Sequence, residues 1–276
     1  MINIPTRVQQ ILTTYIAKMN LDCPGSLEGL YITGSVALND YHSGKSDIDF
    51  MAVLTDEPGA ATIKKLHAIH RYIEKKFKQP KFNGYYVTVQ ALTHGQKQFP
   101  SFFNNKMMAQ RELELDRFAL FELKAASFTA HGLPTQYLEI TVSPEEVIEQ
   151  LHQNINSYWA NWVKQRESFG INRLLLAAFP RFTEWGVLGV ARQLYTIETG
   201  QVISKLDAGN RYLERVPAKY RDVLQMAIDT RKENATRFRP SFKRATQTLH
   251  CMRFIISEFN RNYDHIRGSK SNGKFR

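Results

Sequence analysis

Asp47 and Asp49 flank Ile48 in the run Ser46-Asp-Ile-Asp-Phe50. In a strand this spacing sets both carboxylates on one face while Ile48 and Phe50 pack on the other. Two neighbouring carboxylates repel each other unless a cation neutralises them. Mg²⁺ is the ion such a pair suits, because it takes oxygen ligands and is commonly held by one or two carboxylates together with substrate phosphates. Upstream, Tyr31-Ile-Thr-Gly34-Ser35 ends an apolar run on a glycine and a serine. The glycine lets the backbone approach a phosphate, and the serine adds a hydroxyl donor where a short helix begins. Asp-x-Asp alone marks a solvated strand end in many proteins. The order strand, Gly-Ser, loop, Ser-Asp-x-Asp, strand is far more specific and describes a metal-triphosphate site.

Those residues need a sheet to hold them. Val8, Ile11, Leu12, Tyr15, Ile16 and Met19 make one apolar stripe of a helix over residues 5–20, and Ile63, Leu66, Ile69, Ile73 and Phe77 make another over 59–78. Between and after them, Leu30 to Thr33, Ile48 to Leu54 and Tyr85 to Leu92 read as strands. From about residue 117 the signals turn helical, apart from an extended piece near Tyr137 to Val142. Ser143-Pro-Glu-Glu146 carries a cap, a first-position proline and a later glutamate, and opens a helix with Leu151, Ile155, Tyr158, Trp159 and Trp162 on its buried side. Pro180 interrupts the next apolar run, Gly200 ends a helix, and Ser204-Lys-Leu-Asp207 opens another. Two more helices follow, from about Pro217 to Asn234 and Ser241 to Tyr263. The fold class is therefore α+β: a small mixed sheet with helices over 1–140, an α-helical bundle over 141–264, and a flexible basic tail over 265–276.

The 276 residues, 43% hydrophobic and 23% charged, are enough for one large or two small domains with a real core. The longest apolar stretch, Leu174 to Phe179, is far too short to span a bilayer, and the N-terminus lacks a signal peptide's layout. No membrane association and a cytoplasmic location are expected, in keeping with only two cysteines, Cys23 and Cys251. A formal charge of +11 favours polyanionic partners such as a nucleoside triphosphate or nucleic acid. His67 and His70 lie three apart on a helix, a spacing open to zinc, but without a third ligand nearby they read as surface histidines.

Gly34-Ser35 with Asp47-Ile48-Asp49 resembles the signature of the DNA polymerase β-like nucleotidyltransferase superfamily. Arg111-Glu-Leu113, Ala191-Arg-Gln-Leu-Tyr195, Thr199-Gly200, Ser204-Lys-Leu-Asp207 and Leu213-Glu-Arg-Val-Pro-Ala-Lys-Tyr220 are similar to the streptomycin and spectinomycin adenylyltransferases, and the likeness covers both domains. The resemblance implies a catalytic, Mg²⁺-binding pair in Asp47 and Asp49. It also implies nucleotide contacts from Gly34, Ser35 and Ser46, with Arg192 and Lys205 reaching ATP from the helical domain across an interdomain active site. The implied reaction moves AMP from ATP to a hydroxyl of a small acceptor, an aminoglycoside, as in antibiotic resistance.

The sequence also departs from that pattern. Tyr86 stands where the family carries a glutamate, its general base, and among the drug-binding acidic positions before the arginine helix only Glu184 is acidic. A phenol cannot deprotonate a hydroxyl near neutral pH, since its reference pKa is about 10. Glu112 and Glu184 are then the first candidates for a replacement base, and Glu112, Glu114, Asp116 and Glu184 for the acidic groups that a cationic acceptor needs. Two other readings stand beside this one: a nucleotidyltransferase acting on tRNA or a protein, and a degenerate relative that binds ATP without turnover.

Overall fold

The computed structural model describes residues 3–94, 98–112, 117–232 and 239–272. The chain divides into two compact units, Met1–Ser143 and Pro144–Arg276.

The first unit runs α1 (Thr6–Asp22), β1 (Leu27–Thr33), α2 (Gly34–Ala37), β2 (Ile48–Leu54), α3 (Ala60–Phe77), β3 (Phe82–Thr88), α4 (Val89–His94), β4 (Gln98–Phe103), β5 (Lys106–Glu112), α5 (Arg117–Ala125) and β6 (Phe128–His131). The strands form one mixed sheet in the order β5-β4-β3-β2-β1-β6. Only β2 and β3 are parallel, and α3 supplies the crossover that a parallel pair requires.

Strand alternation splits the core in two. Leu30, Ile32, Ile48, Phe50, Ala52, Phe82 and Tyr86 pack with Val8, Ile11 and Tyr15 of α1 and Leu66, Ile69 and Ile73 of α3. Tyr31, Met51, Val53 and Val87 face the other way, against Ala91 and Leu92 of α4 and Leu120 and Leu123 of α5. Asp49 belongs to this second face.

Strand β3 begins earlier than its apolar run suggests. Residues 89–94 turn into α4, where Thr88 Oγ1 accepts from the Ala91 amide at 3.3 Å, an interaction that the count of apolar residues ignores. The β4–β5 hairpin was missed although its signal is present. Asn104 and Asn105 both take positive φ, 49° and 65°, as a two-residue mirror-type turn demands and as asparagine tolerates. The late strand is β6 on the edge beside β1, not the stretch from Tyr137 to Val142.

The second unit comprises α6 (Pro144–Asn154), a π-turn (Ile155–Trp159), α7 (Ala160–Lys164), α8 (Ile171–Ala178), α9 (Pro180–Thr199), α10 (Lys205–Tyr212), α11 (Ala218–Arg231) and α12 (Phe242–Asn272). The π-turn inserts a residue's worth of rotation, so Trp159 and Trp162 stay buried while Tyr158 is left exposed. Both tryptophans pack on Trp185 of α9, which passes close to them because it carries Gly186 and Gly189; a Cβ at either glycine would press on Trp162 or Trp159. Helix α9 ends at Gly200 in the left-handed region, φ 65°, with the Gly200 amide donating to Thr196 O at 2.8 Å.

Residues 265–272, expected to begin a tail, instead extend α12. Adding a residue to an existing helix gains a hydrogen bond without a new nucleation cost, and composition alone does not register that. Among the described residues no single helix is long and apolar enough to cross a membrane.

Candidate active site

Thr33 at the end of β1 is in antiparallel register with Asp49 on β2, so the chain leaves β1 into Gly34 directly beside that carboxylate. Gly34 takes φ +63°, and a Cβ there would collide with Asp49 Oδ2. Glycine is thus required twice, for conformation and for space. The single turn α2 follows, and the Asp40 amide donates back to Ser35 O at 2.8 Å, closing the Gly-Ser turn.

The loop from α2 to β2 is internally tied. The His42 amide donates to Ser46 Oγ at 3.0 Å, and the Ser46 amide returns to His42 O at 2.8 Å. The buried Asp40 pairs with His42 Nε2 at 2.9 Å. Asp47, just before β2, accepts from Asn83 Nδ2 at 3.0 Å, and the Asn104 amide of the β4–β5 turn donates to Asn83 Oδ1 at 3.2 Å. Asn83 stands in parallel register with Asp49. It escaped the sequence reading, although an asparagine within the apolar run Phe82 to Val87 was a visible signal. The Tyr41 phenol is pushed up, first by burial and then by the Asp47 charge.

The structure thus brings Gly34, Ser35, Ser46, Asp47 and Asp49 into one corner of the first unit. Among the described residues no three His, Cys, Asp or Glu side chains are placed to hold a metal ion together. A hard cation bound by Asp47 and Asp49 would complete its shell with water or substrate oxygens, the habit of Mg²⁺.

Beside Asp49 opens a cleft of about 210 Å³, lined by Thr33, Asp49, Phe50, Met51, Asn83, Gly84, Tyr85, Phe103, Phe118, Ala119 and Glu122. Glu122 of α5 also escaped the sequence reading. Its own spacing does not set it apart, and only the fold brings it beside Asp49.

Tyr86 is not in this site. It projects from the opposite face of β3 and is fully buried, its hydroxyl 2.9 Å from Tyr15 OH and 2.7 Å from His70 Nε2. Burial pushes its phenol far up. The Glu-to-Tyr exchange inferred from the sequence therefore does not touch the catalytic face, because alternation turns Tyr85 and not Tyr86 toward Asp49. His70 is likewise no surface group. It is buried, stacked on Phe102 at 3.7 Å between centroids, and pushed down to about 3 by desolvation.

Glu112 ends the edge strand β5, in register with Gln98 and with β4 and β3 between it and β2. Glu114 and Asp116 lie outside the described residues.

The second unit holds its own charged group. Ser204 caps α10, accepting from the Asp207 amide at 3.0 Å and donating to Asp207 Oδ2 at 2.9 Å, which fixes Lys205 at the first helical position. Arg192 on α9 donates from Nε to Ile203 O at 2.9 Å. Glu184, two turns before Arg192, is buried, with Oε1 at 3.8 Å from Lys205 Nζ and 3.6 Å from Arg231 Nη1. Three helices therefore gather Glu184, Arg192, Lys205 and Arg231 in one neighbourhood.

A mixed sheet with a Gly-Ser turn beside paired aspartates, followed by a helical unit, defines a nucleotidyltransferase. Residues 23–103 match the nucleotidyltransferase domain family, and residues 141–253 match the family described as the aminoglycoside adenylyltransferase C-terminal domain. With both domains in one chain, the protein belongs to the aminoglycoside adenylyltransferase-like nucleotidyltransferases. Its fold is similar to the crystal structure of spectinomycin adenyltransferase AAD(9) from Enterococcus faecialis with ATP and spectinomycin, at a TM-score of 0.67 and 14% identity over 91% of this chain and 98% of that one. No match was found among the curated proteins.

Proposed function

We propose that the protein transfers AMP from ATP to a hydroxyl of an aminoglycoside, with Mg²⁺ as cofactor and pyrophosphate as the second product. The observation that carries the reading is the Gly34 turn seated against Asp49 with Asp47 tied to Asn83 beside it. The ATP and spectinomycin in the similar structure support the choice of nucleotide and acceptor class.

In this reading Asp47 and Asp49 hold the metal, and the Gly34-Ser35 turn and Ser46 bind the triphosphate. The metal, when bound, neutralises phosphate charge as it builds up at the leaving group. Asn83 orients Asp47 through its side-chain amide. Arg192 and Lys205 of the second unit bind the nucleotide through charge-assisted hydrogen bonds, and Glu184 lies beside the Lys205 ammonium. Both cysteines are buried free thiols, which supports activity in the cytoplasm.

Pyrophosphate release across an aminoglycoside panel, with ATP and GTP compared and tRNA as a further acceptor, tests the reading. ATP-dependent release with an aminoglycoside is expected. Release with tRNA alone would replace it with the macromolecular alternative.

A further inference from the structure

We infer that Glu122 is the group that takes the proton from the acceptor hydroxyl, in a cleft that admits a cationic, amino-bearing ring. The inference rests on the proposed function and names a catalytic residue and an acceptor chemistry within the same site.

The cleft beside Asp49 has walls of opposite origin. The sheet contributes Asp49 and Tyr85, while α5 contributes Phe118 and Glu122, one turn apart along that helix. Among the described residues lining it there are two carboxylates and several aromatic rings but no lysine or arginine. That lining is the reverse of the chain as a whole, whose net charge is +11. Acidic groups set among aromatic faces attract ammonium ions, by Coulomb attraction and by the ring quadrupole. At about 210 Å³ the cleft lies below the roughly 300–1,000 Å³ typical for whole drug-sized ligands. It therefore takes one ring of an acceptor and not the whole molecule.

Asp49 is committed to the metal, which leaves Glu122 as the cleft's second carboxylate for the acceptor. A glutamate carboxylate is among the side chains that serve as general bases. The acceptor O–H proton passes to a Glu122 carboxylate oxygen, and the acceptor oxygen bonds to the α-phosphorus of ATP. The bond from that phosphorus to the bridging oxygen breaks, and pyrophosphate leaves with the electron pair.

The test compares wild type, Glu122→Gln, Glu122→Asp and Asp49→Asn, with ATP, Mg²⁺ and either spectinomycin or streptomycin. It follows pyrophosphate release, ATP affinity by calorimetry, and thermal stability. Glu122→Gln is expected to lower kcat by about a hundredfold or more, the usual span for general-base removal, with ATP affinity and stability unchanged. Glu122→Asp is expected to recover part of the loss, as a purely packing role would not. Wild-type kcat in Glu122→Gln while Asp49→Asn is dead would overturn this inference alone, as would a loss in Glu122→Gln that falls on ATP affinity. No pyrophosphate release by wild type with either acceptor would overturn both this inference and the function on which it rests.

Discussion

Gly34 and Asp49 form a unit in which the glycine cannot change alone. An alanine at position 34 would meet the Asp49 carboxylate while holding φ +63°, a conformation that costs an ordinary residue about 1–2 kcal/mol. Gly34→Ala is expected to lower stability by about that amount and to cut turnover at least tenfold, which denaturation curves and pyrophosphate release would report together. Asp49→Asn should abolish transfer and leave the melting temperature the same or higher, because it removes a metal ligand and a source of repulsion at once. Tyr86 belongs to stability instead. Tyr86→Phe deprives the buried Tyr15 hydroxyl and His70 Nε2 of their partner, so a loss of about 1–3 kcal/mol with unchanged kcat is expected. The aspartates and Gly-Ser were legible because their chemistry is local to a few positions. Tyr86 was misread because strand face depends on register, and Glu122 was overlooked because only the third dimension brings α5 beside β2.

Helix α10 shows what an element contributes to one lysine. Its cap is readable in Ser204-x-x-Asp207, and both reciprocal bonds are present. Ser204→Ala is expected to cost about 1 kcal/mol in chemical denaturation. Lys205→Ala and Arg192→Ala are expected to weaken ATP binding about ten- to a hundredfold, from the roughly 1.5–3 kcal/mol of a hydrogen bond to a charged group. Calorimetric titration would show this, and wild-type affinity in both variants would remove them from the nucleotide site. Caps and glycine stops such as Gly200 speak through neighbours in sequence, so these helices were legible. The β4–β5 hairpin, the early start of β3 and the extension of α12 were not read. Each depends on turn conformation, strand pairing or helix propagation, which residue hydrophobicity does not report.

Across the whole molecule, two features of charge are separable from the site. One is the buried His70, whose folded-state pKa is lowered to about 3, chiefly by desolvation and then by His67. The unfolded chain binds this proton below about 6.5 and the folded one does not, so stability is full above that pH and falls on acidification toward 3. The expected slope is up to about 1.4 kcal/mol per pH unit, and His70→Gln should flatten it in equilibrium unfolding measured between pH 7 and 4. The other is the contrast between a basic chain and an acidic cleft. Net charge had left nucleic acid open as a partner, and the local lining favours a cationic acceptor. The central claim is the transfer of an adenylyl group through Asp47 and Asp49, and mass spectrometry of the acceptor reads it directly. Spectinomycin or streptomycin incubated with ATP, Mg²⁺ and the wild-type protein should gain one AMP unit, and the same incubation with Asp49→Asn should leave it unmodified. An unmodified antibiotic after wild-type treatment, or equal modification by the variant, would contradict the account.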